Sequence, residues 1–355
     1  MRNKIRILVV DDSAFMRKSL SLLLESDPSI TVIDTAVDGL EGFEKVKRLK
    51  PDIVTLDIEM PRMDGLTALK NIMKECPTPV LMVSSLTTEG AEETLKALEL
   101  GAVDFIPKAM SFVSVAIAGI KEDLIRKVKA IHNSKNVITR LSNLNLKVDA
   151  KSQSNKSNII AKLPQMNYKA FAIGISTGGP ISLQKVVPFL SEKIKIPIFI
   201  VQHMPPKFTA SLAERLNSLS QLEVKEAENN EVVRNSVVYI APGGFHLTLE
   251  KDGTGIVRIK TSQLPENVLH KPSVDVMLES VQKIYGKNML GIIMTGMGKD
   301  GLEGIKKLKS AGGYCIAQNE QTCVVYGMPR AIVDNGLADV IAPLEEIPNI
   351  LNQAI

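Results

Sequence analysis

Up to about residue 131, short apolar runs alternate with amphipathic stretches. IRILVV, ITVIDTA, DIVTLDI, TPVLMVSS and VDFIP have the length of buried strands, whereas AFMRKSLSLLLES, GLEGFEKVKRL, GLTALKNIMKE and GAEETLKALEL place their apolar residues at helical spacing. This alternation predicts five βα units, and hence a parallel sheet with helices on both faces. The texture then breaks. Residues 132–165, HNSKNVITRLSNLNLKVDAKSQSNKSNIIAKLPQ, are rich in Asn, Ser and Lys and carry no aromatic residue, which predicts a polar linker. Beyond it, YKAFAIGIS, IPIFIVQ and NMLGIIMTG are again strand-like and are followed by helical patterns. The expected organisation is α/β throughout: an N-terminal (βα)5 domain over 1–131, the linker over 132–165, and a doubly wound α/β domain with a mostly parallel sheet over 166–355.

Composition narrows the classes. The chain has 355 residues, 45% of them hydrophobic and 23% charged, as expected of soluble globular protein and enough for two cores. Its opening, MRNKIRILVVDDS, has too short an apolar run for a secretory or spanning segment, which predicts a cytoplasmic protein without membrane insertion. Cys76, Cys315 and Cys323 form no CxxC pair, so neither a disulfide framework nor a zinc site is expected. A net charge of +4, with 4% aromatic residues, gives nucleic-acid binding no support.

In the first domain the chemistry collects at predicted strand ends. Asp11 and Asp12 follow the first strand, Asp57 ends the third, Ser84 and Ser85 end the fourth, and Lys108 follows the fifth. Carboxylates converging on one sheet edge repel one another unless a cation joins them, and an all-oxygen set suits Mg²⁺. Any one of these acids could equally cap a helix; the set at matching strand ends argues for a site. ILVVDDS, DIVTLDIEMPRMDGL, VLMVSSLT and GAVDFIPK resemble the receiver domain of two-component response regulators. That resemblance implies Asp57 as phosphoacceptor, and Asp11, Asp12, Asp57 and the backbone carbonyl of Glu59 as Mg²⁺ ligands. It further implies Ser84 as the hydroxyl that reorients toward the phosphate, Phe105 as the aromatic that follows it inward, and Lys108 as the counter-ion. The pattern departs from the family at Pro107-Lys108-Ala109, where Pro usually follows the lysine.

In the second domain FAIGISTGGP places Ser176 at a strand-to-helix junction, with its Oγ exposed and backbone N–H groups aimed at whatever binds. GISTG fits the elbow of a serine hydrolase, and it fits an anion-cradling loop as well. A nucleophile requires a base and an orienting acid. His203, directly after IPIFIVQ, is the preferred base over His246 and His270, which lie in turn-rich surroundings. Asp300, in the loop of TGMGKDG, is the candidate acid, and its alternative is to cap the following helix. All three share the carboxyl end of a predicted parallel sheet, where sites of open α/β folds assemble.

AIGISTGGP, IVQHMPPKFTASLAERL, VYIAPGGFHLTL, HKPSVDVML, GIIMTGMGKDG and AQNEQTCVVYGMPRAIV together resemble the catalytic domain of the chemotaxis protein-glutamate methylesterases, joined in that family to a receiver. The resemblance implies Ser176 as nucleophile, His203 as base and Asp300 as the residue that orients the imidazole. It implies phosphorylation-regulated demethylation of glutamate methyl esters on methyl-accepting chemotaxis receptors, releasing methanol, with deamidation of particular receptor glutamines, and no metal for the hydrolytic step. The chemotaxis histidine kinase would be the phosphoryl donor. The backbone around Thr177 to Gly179 is expected to stabilise the oxyanion, and Thr177, Gly178, Met297 and His246 to line the oxyanion or substrate site.

Overall fold

The computed structural model describes residues 4–108, 115–134, 137–145, 163–164 and 166–355. The chain divides into two compact units, Met1–Lys147 and Val148–Ile355.

The first unit runs β1 (Ile5–Val10), α1 (Ala14–Glu25), β2 (Ile30–Ala36), α2 (Gly39–Leu49), β3 (Ile53–Asp57), α3 (Gly65–Glu75), β4 (Val80–Ser84), α4 (Thr88–Glu99), β5 (Asp104–Pro107), α5 (Val115–Asn133) and α6 (Val137–Asn145). Its five strands pair in the order β2-β1-β3-β4-β5, all parallel. Strands β3 and β4 are buried at every position, as befits a sheet covered on both faces. Four of the helices begin on a polar cap: Ser13, Asp38, Asp64 and Thr87 each accept a backbone N–H from their own first turn. The capping alternative for the acids is thereby answered. Ser13 caps α1 and Asp64 caps α3, which leaves Asp11, Asp12 and Asp57 for other work.

The reading of 132–165 as polar linker needs correction at its start. Helix α5 runs to Asn133, and α6 occupies 137–145 with Val137 and Leu141 buried. These two residues stand at i and i+4, a helical apolar pair that the surrounding Asn and Ser masked. Residues 146–162 lie outside the described residues.

The second unit runs β6 (Ala170–Ile175), α7 (Gly179–Val186), β7 (Ile198–Gln202), α8 (Phe208–Leu219), β8 (Glu223–Glu226), β9 (Val237–Ile240), β10 (His246–Lys251), β11 (Val257–Ser262), α9 (Val274–Tyr285), β12 (Met289–Ile293), α10 (Leu302–Ser310), β13 (Tyr314–Gln318), α11 (Met328–Asp334), β14 (Val340–Ala342) and α12 (Ile347–Gln353). Seven strands form a parallel sheet in the order β14-β13-β12-β6-β7-β9-β8, and β10 and β11 form a separate antiparallel pair. Strand order reverses at β6, with β12 on one side and β7 on the other; this is the topological position at which open sheets bind. Strands β6, β7 and β12 are buried throughout. Burying each of their Ile, Val and Phe side chains stabilises the fold by about 1.5–3 kcal/mol. Helix α9 packs directly on β6: a Cβ at Gly174 would meet Val274 Cγ1 at 2.3 Å, so only glycine permits this approach.

Candidate functional sites

The carboxyl ends of β7, β6 and β12 bring three side chains together. Ser176 follows β6 and is fixed there by its N–H, which donates to the carbonyl of Thr295 after β12 at 3.0 Å. His203 follows β7, and its N–H donates to Ile175 O at 3.3 Å. Ser176 Oγ lies 3.1 Å from His203 Nδ1, and His203 Nε2 lies 2.8 Å from Asp300 Oδ2. A carboxylate only accepts, so Nε2 carries the ring proton and Nδ1 is left to accept from the serine hydroxyl. The His270 ring stacks on His203, with centroids 4.1 Å apart and planes at 22°, and so restricts rotation of the imidazole.

Asp300 does not cap α10. The N-cap there is Gly301, without a side-chain bond, and the Asp300 carboxylate instead receives Ser273 Oγ at 3.0 Å, Val274 N at 2.8 Å and Asp275 N at 2.9 Å from the start of α9. Burial pushes Asp300 upward, but the His203 bond and charge, followed by the backbone N–H groups of Asp275 and Val274, outweigh it and hold the group well below the ordinary carboxylate range. It stays ionised, ready to balance the charge that forms when His203 takes the serine proton.

The loop after Ser176 is tightly determined. Gly178 adopts φ +75°, and a side chain there would also run into Val324 at 2.5 Å. Gln202 donates to the Ser176 carbonyl, and Thr295 Oγ1 donates to the Thr177 carbonyl at 3.0 Å. The Gly179 N–H donates to Ser176 O at 2.7 Å, which removes it from the expected set of oxyanion donors. Thr177 and Gly178 remain beside Ser176. Met297 lies beyond Gly296, whose ideal Cβ would stand 2.8 Å from Ser176 Cβ; the Met297 N–H has no acceptor among the described residues.

His246 does not line the site. It is fully buried, its Nδ1 accepts the Ser273 N–H at 3.2 Å, and its Nε2 donates to Pro265 O at 3.2 Å. Burial lowers its pKa and keeps it neutral, matching a ring whose two nitrogens are one donor and one acceptor. It steadies Ser273, which in turn holds Asp300. Sequence reasoning missed Gln202, and it singled out the HKPSVD loop only as a lining of the substrate cleft, not for the support that Ser273 and Asp275 give Asp300. Ser273 had a local signal, as a serine opening the apolar helical run VDVML; Gln202 and Asp275 matter only through partners distant in sequence.

The first unit carries a second site. Lys108 Nζ lies 2.6 Å from Asp57 Oδ2 and 3.7 Å from Asp11 Oδ2. Ligand atoms of Asp11, Asp12 and Asp57 lie within 4.8 Å of one another, and Glu59 stands two residues beyond Asp57 on the same edge. Asp11 Oδ2 is buried and receives no hydrogen bond, and burial, with the nearby Asp11 charge, pushes Asp57 up to about 6. A buried carboxylate oxygen without a hydrogen bond, beside a carboxylate whose ionised form burial disfavours, fits a cation site of oxygen ligands. Ser84 Oγ donates to Gly90 O at 3.0 Å, toward α4, while Phe105 is already buried under Lys127 Nζ. Ala109 lies outside the described residues. Cys315 and Cys323 are buried, Cys76 is half-buried, and none of the three forms a disulfide among the described residues. No helix among the described residues is long and apolar enough to cross a membrane.

Comparison with known proteins finds relatives for both units. A family model described as CheB methylesterase matches residues 171–351, and one described as response regulator receiver domain matches residues 7–116. The chain is similar to a protein-glutamate methylesterase/protein-glutamine glutaminase of Lawsonia intracellularis, 48% identical over 354 residues and covering 99% of each chain. It is also similar to protein-glutamate methylesterase/protein-glutamine glutaminase 2 of Nitratidesulfovibrio vulgaris, 51% identical over 357 residues and 97% of each chain. Among solved structures, the Thermotoga maritima CheB methylesterase catalytic domain matches with TM-score 0.52 and 44% identity, covering 54% of this chain and 100% of that one.

Proposed function

The chain belongs to the CheB methylesterase family, with a response regulator receiver domain ahead of the catalytic one, and on that premise we propose that Ser176, His203 and Asp300 are the residues that perform its hydrolysis. Its activity is that of a protein-glutamate methylesterase and protein-glutamine glutaminase. The observation that carries the assignment of residues is the unbroken hydrogen-bond chain from Ser176 Oγ through His203 to Asp300.

His203 Nδ1 takes the Ser176 proton as Oγ attacks the side-chain carbonyl of a methylated glutamate. The resulting oxyanion faces backbone N–H groups near Thr177, Gly178 and Met297, donors of a kind worth about 10²–10³ in rate each. The imidazolium, held by the ionised Asp300, returns its proton to the methoxy oxygen as it departs as methanol, or to the amide nitrogen as it departs as ammonia when the substrate is glutamine. Water activated by the same ring then hydrolyses the acyl-serine to a free glutamate. The substrate is a methyl-accepting chemotaxis receptor reached from the cytoplasm. Exposed Phe245, Leu264 and Leu269 stand on the loops around His246 and His270, where they offer apolar contact to a receptor helix.

In the receiver, Asp57 accepts the phosphoryl group from the chemotaxis histidine kinase. Asp11, Asp12, Asp57 and the Glu59 carbonyl would hold Mg²⁺, which supplies positive charge to the carboxylates and the phosphoryl oxygens. Lys108 faces the same oxygens, and Ser84 must leave Gly90 O to reach them. Methanol release from methylated receptor membranes tests both sites. It should rise with a small phosphoryl donor, lose that rise in Asp57→Asn, and vanish in Ser176→Ala; release that survives Ser176→Ala refutes the assignment.

A further inference from the structure

The loops that surround Ser176 carry an excess of positive charge. Residues 203–207, 241–245, 263–273, 294–301 and 319–327 hold the lysines Lys207, Lys271 and Lys299 and the acids Glu266, Asp300 and Glu320. Asp300 is bound by His203 and the start of α9, and Glu320 lies 3.7 Å from Arg330 of α11. Glu266 is left to oppose three ammonium groups, and among the described residues it forms no ion pair with any of them. Glu303, at the start of α10 beyond Lys299, is taken by Lys306 at 2.8 Å.

The three lysines share one neighbourhood because their loops touch. His270, next to Lys271, stacks on His203, and Lys299 precedes the Asp300 that His203 binds. Lys207 follows His203 by four residues. The intervening Pro205 and Pro206 pack on the 242–245 turn, where an ideal Cβ at Gly243 would stand 2.3 Å from Pro205 C and one at Gly244 3.2 Å from Pro206 Cγ. The same turn is tied to the third loop, since the Gly244 N–H donates to Lys271 O at 3.1 Å. Lys207 and Lys299 are exposed and Lys271 is half-buried. Lys207 adopts φ +73°, so a lysine stands where the backbone alone would favour glycine. These loops also expose Phe245, Leu264 and Leu269, and an apolar surface with charges beside it suits an amphipathic helix.

We propose that Lys207, Lys271 and Lys299 form a basic rim that recognises receptor carboxylates beside the residue being hydrolysed, and so selects acidic stretches of receptor helix as substrate. The proposal rests on the reading of Ser176 as nucleophile and of a receptor helix as substrate. Chemistry supplies the complement: hydrolysis turns a neutral ester or amide into a glutamate, so a segment already processed at one position presents the charge that attracts it for the next. On a helix, residues three or four apart stand about 5–6 Å from each other, within the span of a lysine stem. The neighbouring carboxylates do not react. Their attraction therefore acts equally on bound substrate and transition state, and it shows in KM.

The test is methanol release by the full chain on methylated receptors in phosphatidylcholine vesicles, between about 50 and about 300 mM NaCl. For the native chain kcat/KM should fall as salt rises. Lys207→Gln, Lys271→Gln and Lys299→Gln should each raise KM about two- to fivefold with kcat changed less than about twofold, and the triple substitution should flatten the salt dependence. Arginine at the same positions keeps the charge and should hold KM within about twofold of the native value. A triple glutamine variant with native KM and native salt dependence overturns the proposal. So does a KM that rises equally with glutamine and arginine, which marks lost packing, or an effect that appears only once anionic lipid is added, which assigns the lysines to the membrane surface. If thermal unfolding finds the Lys271 variants destabilised, the exposed Lys207 and Lys299 decide. Ser176→Ala in the same assay separates the two readings: persistent release sinks the triad itself, whereas a silent Ser176→Ala beside unmoved KM in the lysine variants sinks only the rim.

Discussion

The side-chain amide of Gln202 donates to the backbone carbonyl of Ser176 at 3.0 Å and to that of His203 at 3.3 Å. One amide at the end of β7 therefore ties the peptide of the nucleophile to the peptide of the base. Gln202→Met keeps the shape and removes both bonds. Losing a buried hydrogen bond costs about 1–2 kcal/mol, so kcat should fall about tenfold at nearly constant KM. An unchanged single-turnover acylation rate would mean that strand pairing alone holds the loop.

Gly296 gives a steric test of the same geometry. An added Cβ would lie 2.4 Å from Met328 Sδ and 2.8 Å from Ser176 Cβ. The end of Met328 can shift, but Ser176 is anchored by its N–H to Thr295. Gly296→Ala should thus cost about 1–3 kcal/mol of stability and displace the nucleophile, lowering kcat by about 10². Thermal unfolding and steady-state kinetics on one preparation separate the two effects.

Asp300 links the site to acid stability. Its pKa is lowered on folding, so its ionised form stabilises the native state above the unfolded value near 3.9, and this contribution is lost as pH falls through the native value. The stability advantage of the native chain over Asp300→Asn should be complete at neutral pH, begin to fade below about pH 4, and disappear only once pH falls below the native value. Urea unfolding at several pH values measures it, and kcat of the variant should drop about 10³-fold or more.

Asp57 has the opposite sign. Its pKa is raised to about 6, so folding favours its protonated form; that stability is present below the unfolded value and is lost as pH rises through about 6. Asp57→Asn should therefore stabilise the receiver above pH 6 by about 2 kcal/mol, and the gain should fade below about pH 4. Added Mg²⁺ should stabilise the native chain and leave Asp57→Asn less affected. Calorimetry with and without the ion checks this, and an identical Mg²⁺ response in both chains would contradict the cation site.

Ser176 and His203 directly follow apolar strand runs, Asp57 ends one, and Asp300 lies in the Gly-rich loop after another; each of the two parallel sheets gathers its strand ends on one edge, which made these positions legible. His246 was misread because it also sits among turn residues, and sequence does not reveal that its ring is buried and bonded to Pro265 and Ser273. Helix α6 was concealed by polar composition, although Val137 and Leu141 had the right spacing. Gln202 and Asp275 have no local signature at all. Their partners lie 26 and 29 residues away and become neighbours only once the sheet closes.

Pairing within that sheet is in register from Phe171↔Ile198 to Ile175↔Gln202 on one side of β6, and from Met289↔Ala170 to Ile293↔Gly174 on the other. A slip of one residue along β6 would carry Ser176 about 3.3 Å from its partners and turn its side chain to the opposite face. Ester hydrolysis is consequently a readout of folding fidelity: a refolded sample in which β6 has docked one position out would keep its secondary structure and be catalytically silent, so specific activity counts the correctly threaded molecules.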